Sequence, residues 1–497
     1  MEATTQQAER AAAELGAVCF PEVDGRRSTT STCRAIVADA ARPVDRELAA
    51  RVEACDGWRH DYMTFLRELT VRAADPSRAL SIAGAGLGSM RDRLVLESRA
   101  GPVRLDRVFA EPAPQTTLGT GEIRGAAQPT SRLEVPYRGR MLHGRVLIEQ
   151  LERWADSGTV EPSFSEAIRR VVEHPEWLAL HGHTVALVGA GAEVGPLQPL
   201  CAWGAAVLAV DIPDTNVWAR IQEVARAGAG TVCVPLSPDG TPGVDVVASP
   251  AETMHWLEAN VGAETTPVLG MYAYADGGAH VQLTAAFDLL ATALSRQEPA
   301  MAIAYLATPT DTYLVPAHAV ERARAAFAAR RARRVLQAPM RALSGGRLYR
   351  PAYSTGAAVA DALVAQQGPN YAVAKRLQRW RGLQASAEGK RVSFNLAPAT
   401  WTRSVTKNRL LAAAYAGARH FGIEIFEPST TRVLMAAMLV HDLHEEPAAR
   451  RSPEELFSEG AAHGGLWTAA YEPRSALGLA ALAGLLPQRR IIARNAR

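Results

Sequence analysis

Tyr371 and Lys375 stand four residues apart in the segment Tyr-Ala-Val-Ala-Lys. On a helix that spacing puts both side chains on one face. A tyrosine hydroxyl, with an ordinary pKa of about 10, is a poor acid or base at neutrality. A neighbouring ammonium favours the phenolate and lowers that value. A phenol tuned in this way can pass a proton to or from a carbinol oxygen while a hydride moves at the adjacent carbon. The lysine is informative in itself. Of the 54 basic residues only three are lysines: Lys375, Lys390 and Lys407. Arginine never deprotonates, whereas a lysine ammonium can be tuned, so a lysine in so arginine-rich a chain points to a place that arginine does not suit.

A second constellation is the stretch TVALVGAGAEVGPL, residues 184–197. An apolar run leads into Gly189, Gly191 and Gly195, and a helix is expected to follow. Glycines there let the backbone turn tightly and approach a pyrophosphate, which then sits at the helix N-terminus. Asp211, 22 residues after Gly189, closes the next apolar run, AAVLAVD. A carboxylate at that point can bind the ribose hydroxyls of an adenosine and repels a 2′-phosphate. Run, glycines and acid together predict a dinucleotide site, with NAD as the expected cofactor. The competing reading is a glycine-rich turn that binds nothing.

The elements that must position these groups are legible in outline. From His183 onward, short apolar runs alternate with helical stretches: TVALVGA, AAVLAVDI, TVCVPLS, PVLGMYAYA, AMAIAYLAT, RVSFNLAP and FGIEIFEP. Strands of a parallel sheet read this way because helices cover both faces. Residues 181–445 are therefore expected to form a doubly wound, Rossmann-type α/β domain. About 60 residues separate Thr308 from Tyr371, too many for an ordinary connection. Residues 313–370, with an arginine-rich helix at 318–335, read as an insertion over the sheet's carboxyl edge and part of the substrate pocket. Residues 1–180 read as a separate mixed α/β domain, with helices near 44–57, 61–74, 141–156 and 164–178. A hairpin is expected over 93–110, turning at Ala100-Gly101-Pro102. Ser163 and Glu166 have the spacing of a capping box, and 111–136 reads as a loop. Residues 446–497 read as a docking or interface tail.

With the motifs in this order, 183–445 resembles the short-chain dehydrogenase/reductase family. Val188-Gly189-Ala190-Gly191-Ala192-Glu193-Val194-Gly195 resembles its glycine motif, except that Glu193 occupies the usual middle glycine. Tyr371 and Lys375 match its Tyr and Lys. Asn395-Leu396-Ala397-Pro398-Ala399 resembles its Asn-x-x-Pro-Gly stretch, with alanine for glycine, and Thr402 matches the threonine at the nicotinamide end. The resemblance implies an NAD(H)-dependent oxidoreductase that interconverts a secondary alcohol and a ketone. It implies that NAD lies against Gly189, Ala190, Gly191, Glu193, Val194 and Gly195, then Asp211 and Ile212. Ala273, Pro398 and Thr402 would face its nicotinamide half. The serine that should close the fifth strand is missing. Thr308 is the preferred replacement for orienting the substrate oxygen, and Ser354 is its rival. The family's Asn-Asn-Ala-Gly is replaced by Met271-Tyr272-Ala273-Tyr274-Ala275, and the next helix carries no relay asparagine. These departures keep two alternatives open: a catalytically weak dinucleotide-binding scaffold, or a redox-neutral, epimerase-type enzyme that retains NAD.

Composition bounds the remaining possibilities. The 497 residues, 48% hydrophobic and 21% charged, are those of a globular protein of about three domains. A net charge of +3 gives no reason to expect a nucleic-acid partner, which would usually show a concentrated basic face. The longest uncharged apolar run, 475–487, is shorter than the roughly 20 residues of a membrane span. The segment LGLAALAGLLPQRRIIAR around it is expected to dock on its own or a partner subunit of a homo-oligomer. Peripheral membrane contact is the alternative. The N-terminus does not read as a signal peptide. Five cysteines without a Cys-x-x-Cys read as reduced thiols in a cytoplasmic protein. His441-Asp442-Leu443-His444 reads as an exposed helix end rather than a metal site, and His181-Gly182-His183 as a turn. The glycine run Ser81–Ser89 reads as a loop packed closely on a neighbour rather than as a second phosphate loop. The arginine-rich helix reads as a solvated face, with docking of an anionic substrate as the alternative.

Overall fold

A computed structural model describes residues 16–99, 101–108, 117–262, 264–354 and 356–485. Ala100, Thr355, the N-terminal stretch weighed against a signal peptide and the basic end of the C-terminal run lie outside them. Seven strands build the main sheet: β1 (Gly119–Arg124), β2 (His183–Val188), β3 (Ala206–Val210), β4 (Thr231–Leu236), β5 (Thr266–Met271), β6 (Ala302–Ala307) and β7 (Val392–Leu396). Their spatial order is β7-β6-β5-β2-β3-β4-β1. β2 to β7 are parallel, and β1 joins β4 antiparallel. Numbered by themselves, the parallel strands run 3-2-1-4-5-6, the Rossmann-like doubly wound order, with its switch point between β2 and β5.

Six of the seven expected apolar runs are strands. The last, FGIEIFEP, is not: Phe426 makes a single parallel bridge to Thr400, and Pro428 then opens a helix. The seventh strand, β1, comes instead from the stretch read as a loop. Its glycines and threonines hide an edge strand that registers Gly119 to Arg124 against Leu236 to Thr231.

The helices that bear on the site are α1 (Thr29–Ala41), α2 (Trp58–Arg72), α3 (Pro76–Arg93), α4 (Leu197–Trp203), α5 (Gly278–Gln297), α6 (Ala317–Ala329), α7 (Arg331–Leu343), α8 (Gly368–Ala387), α9 (Arg409–Ala418), α10 (Pro428–His444) and α11 (Pro473–Leu485). The strands alternate between two buried layers, as period-two side chains must. Ala186, Val188, Leu208, Val210, Ile303 and Tyr305 share one apolar cluster with residues of α5 and α8, while Val185, Leu187, Val207, Ala209, Ala302 and Ala304 share the other with residues of α4 and α10.

The N-terminal segment does not keep a core to itself. Ile36, Tyr62, Leu66 and Leu87 belong to the same continuous apolar cluster as Val188, Leu377 and Trp380. The glycine run Ser81–Ser89 is helical, within α3. A Cβ on Gly86 would come within 2.1 Å of the Trp380 ring, so the glycine sets how closely α3 lies on α8. The 93–110 hairpin is present, with Val95–Leu96 paired to Val103–Arg104. The Ser163 capping box is absent: Pro162 occupies the first helical turn, and the Ser163 hydroxyl accepts the Gly460 N–H instead.

The insertion is closed at its base by an antiparallel pair, Thr312–Leu314 with Val359–Asp361. The arginine-rich stretch splits into α6 and α7 about Arg330. His318 on α6 and buried His463 share the carboxylate of Glu161, at 2.6 and 3.1 Å. Farther on, the insertion lies along the tail: Ala352 N–H donates to Ala470 and Glu472 N–H to Arg350. No helix among the described residues is long and apolar enough to cross a membrane.

Candidate active site

α8 starts at Gly368, whose φ of 74° is a conformation that favours glycine. The turn delivers Tyr371 and Lys375 to the carboxyl end of β6. There Tyr371 sits beside the Thr308 side chain, whose hydroxyl draws the phenol's pKa down. Thr308 Oγ1 lies 2.9 Å from Thr310 Oγ1, which accepts from Gln367 Nε2 at 2.5 Å. The two ends of the insertion therefore meet beside Tyr371. Ser354 is exposed, and no hydrogen bond among the described residues joins it to Tyr371.

Lys375 Nζ donates to the Leu306 carbonyl at 3.3 Å and to Gln378 Oε1 at 3.0 Å. Gln378 continues to Thr284 Oγ1 at 3.2 Å, and Thr284 to the His280 carbonyl at 2.8 Å. Burial pulls Lys375 down to about 8, because desolvation penalises the ammonium. Tyr371 moves the other way from the sequence expectation. Burial pushes it up to about 12, and the neighbouring Thr308 hydroxyl only partly offsets this. The ammonium lies 6.0 Å from the ring centroid.

Two further rings fix the phenol. His280 is stacked on Tyr371, with centroids 5.3 Å apart and planes at 12°. Tyr274 lies 5.9 Å from Tyr371 and 5.4 Å from His280. Burial, then the charge of Lys375, brings His280 down to about 3, so the imidazole is neutral and adds no second cation to the site.

Gly189, with φ 86°, follows β2 directly. A Cβ there would come within 2.2 Å of Ala273 N, so only glycine lets the loops after β2 and β5 close up at the switch point. Gly189 N–H and Ala190 N–H both donate to Val210, at 2.8 and 3.2 Å. Gly191 N–H donates to Asp211 Oδ2 at 2.8 Å, and Ile212 N–H to Oδ1 at 2.9 Å. Burial raises the Asp211 carboxyl, and these two N–H groups draw it back. Ile212 beside it is 49% exposed, an open apolar shelf next to the acid. Gly195 N–H turns back to Ala192 at 3.0 Å, and Val194 is half-buried between them.

Glu193 reaches out of the loop. Its Oε2 accepts from Arg403 N–H at 2.9 Å, bridging the loop after β2 to the segment after β7. Its carbonyl takes two hydrogen bonds from Arg432, at 3.0 and 2.7 Å. In the post-β7 segment, the buried Pro398 accepts Thr400 Oγ1 at 2.8 Å, and Thr402 Oγ1 pairs with Ser404 at 2.9 Å.

His280, Tyr274 and Gln378 were not singled out from the sequence. Gln378, one turn beyond Lys375 on the same face, was within reach of the spacing argument. His280 and Tyr274 carry no motif, since only the packing of α5 on α8 brings them to Tyr371. The His441–His444 group is accounted for by packing. Asp442 accepts Ser393 and Asn395, both at 2.7 Å, and the His444 ring stacks on Trp177 at 5.0 Å. No metal-binding group of His, Cys, Asp and Glu exists among the described residues.

No family model matches the chain, and no curated protein is significantly similar to it in sequence. Among solved structures, the chain is similar to the crystal structure of an oxidoreductase of the short chain dehydrogenase/reductase family from Burkholderia thailandensis. The two share 14% identity with a TM-score of 0.32, over 57% of this chain and 92% of that one.

Proposed function

We propose that the protein is an NAD(H)-dependent oxidoreductase that interconverts a secondary alcohol and a ketone. The observation that carries this reading is the gathering of Tyr371, Thr308 and Lys375 at the carboxyl end of β6, in a sheet with Gly189 at its switch point and Asp211 at the end of the neighbouring β3. Ligands of open α/β sheets bind in the crevice at that edge. The residues fit a dinucleotide there. The Gly189 approach draws the loops after β2 and β5 together at the crevice, Asp211 and the exposed Ile212 suit an adenosine, and the Lys375 ammonium is a donor suited to a ribose hydroxyl. The bound nicotinamide would supply or accept the hydride. Thr308 and Tyr371 hold the substrate oxygen between two hydroxyls. Tyr371, kept protonated by burial, gives its proton to that oxygen as a ketone is reduced. Lys375 stabilises the phenolate left behind. Gln378, itself held by Thr284, accepts from the Lys375 ammonium and fixes its position beside the phenol.

Calorimetric titration with NADH and NADPH tests the reading. Asp211 should make NADH the tighter ligand, and tighter NADPH binding, or no binding of either, would sink it.

Glu193 is the group that opposes the ligand, since its carboxylate lies in the loop that would face a pyrophosphate. Replacing it with glycine should tighten NADH binding by about tenfold, the equivalent of roughly 1.4 kcal/mol. Glu193→Gln, which can still accept from Arg403 N–H, separates charge from contact. Unchanged affinity in both variants would show that the carboxylate does not meet the cofactor.

Lys375 gives a pH signature. Below about 8 it is an ammonium, and as pH rises through that value the charge is lost. Ketone reduction should therefore slow as pH rises past this point. Lys375→Arg, whose guanidinium does not deprotonate, should be slower throughout but show no bend there. A bend that persists in the variant would assign it to another group.

A further inference from the structure

We propose that the inserted helix α7 docks on an anionic phospholipid surface. A helix lying on its own domain buries its apolar stripe and turns its charges outward; α7 is reversed. Val335, Pro339 and Leu343 recur every four residues along one face. Val335 is 74% and Leu343 89% exposed. Among the described side chains, those turned toward the protein are polar. Arg334 lies 4.7 Å over the Phe327 ring, and Gln337 Oε1 accepts from the Tyr471 hydroxyl at 2.6 Å.

Single exposed aliphatic residues are ordinary, but these have company. Arg330, which ends α6, lies 5.6 Å over the Tyr471 ring, and Tyr471 leads directly into α11. There Leu482 and Leu485 are 62% and 68% exposed, and Leu410 on the adjoining α9 is 54% exposed.

Charge selects the occupant. Residues 322–350 contain nine arginines and no acidic residue, and Arg324, Arg331, Arg341 and Arg347 are exposed. A two-fold contact between copies would set this patch against itself, arginine facing arginine with no carboxylate from the segment to relieve it. An anionic bilayer meets both halves of the pattern. Phosphates take the guanidinium groups, while the aliphatic side chains enter the acyl boundary and the arginine stems lie along it. Both ends of the insertion return to Thr308 and Tyr371, so docking would hold the crevice at the lipid surface. The proposal stands whether or not the site is catalytic.

The test is co-sedimentation of the full-length protein with phosphatidylcholine vesicles, with and without phosphatidylglycerol. The companion variant is Val335→Gln/Leu343→Gln. Both positions are exposed, so the unfolding midpoint should not move. The wild type should bind only the phosphatidylglycerol vesicles, less tightly as salt rises, and the double variant should lose about tenfold of that binding. Three results would overturn the proposal. One is no binding to phosphatidylglycerol vesicles. Another is equal binding by the variant, which would put the contact elsewhere. The third is a variant whose assembly size changes in light scattering while lipid binding does not, which would make the face a contact between copies.

Discussion

Replacing Tyr371 with phenylalanine should lower turnover by about 10²–10⁴-fold, the usual contribution of a positioned acid or base, and leave NADH affinity nearly unchanged. The substitution removes one oxygen and keeps the ring. Stacking on His280 and contact with Tyr274 survive, so the variant isolates the proton transfer from the architecture of the pocket. What is lost is the hydroxyl beside Thr308 and the only phenol that α8 delivers to the end of β6. The measurement is kcat and NADH dissociation constant for wild type and variant, using a ketone found by screening NADH oxidation. Wild-type turnover in the variant would remove Tyr371 from the chemistry. Loss of NADH binding together with turnover would instead mean that the ring, not the oxygen, was needed.

The second large effect lies one turn further along α8. Asp311 accepts from Arg376 at 2.8 Å and Arg379 at 3.2 Å, and Arg379 continues to Glu454 at 2.6 Å. All four side chains are nearly excluded from solvent. Arg379 is clamped between Tyr313 and Phe457, 4.4 Å from each ring. Thr70 and Thr312, joined at 2.7 Å, take further hydrogen bonds from Arg376. Asp311→Ala leaves two buried guanidinium groups short of a counter-charge. Removing one partner of a buried pair costs about 3–5 kcal/mol, so the urea midpoint should fall steeply. Adding Arg376→Met to the same chain should recover part of the loss, because the unpaired charge goes with it. An unchanged midpoint in the single variant would mean that water already reaches the cluster.

Much of the architecture was legible because it is local. β2 to β7 announce themselves as apolar runs, and the two-layer alternation within them needs no more than the pleat. Gly189 and Asp211 could be read for the same reason, each sitting at the end of a run. What escaped depends on partners far away in the chain. β1 is an edge strand whose only ladder among the described residues is β4, so Gly119–Arg124 carries a polar, glycine-containing sequence that looks like a loop. The Ser163 capping box failed because its hydroxyl is claimed by Gly460, nearly three hundred residues later. The direction of the Tyr371 shift was misread for a related reason. Spacing fixes the lysine near the ring but says nothing of how deeply both are buried, and here burial outweighs the charge. The independence of the first 180 residues was inferred from a change of texture at His183, which cannot show that Gly86 lies against Trp380.

That last contact bears on how the chain is made. Gly86 and Trp380 are far apart in sequence, and so are Thr70 and Thr312 or Arg91 and Asp288, separated by 242 and 197 positions. During synthesis at about 5–20 residues per second, α3 waits on the order of 15 to 60 s for α8 to leave the ribosome. In that interval the helical groove at Gly86 lacks the Trp380 ring that covers it in the folded chain. A chain whose first segment belongs to its last cannot fold domain by domain from the N-terminus. It needs either a shielding factor at the exit tunnel or an interim packing of the early helices that later gives way to Trp380.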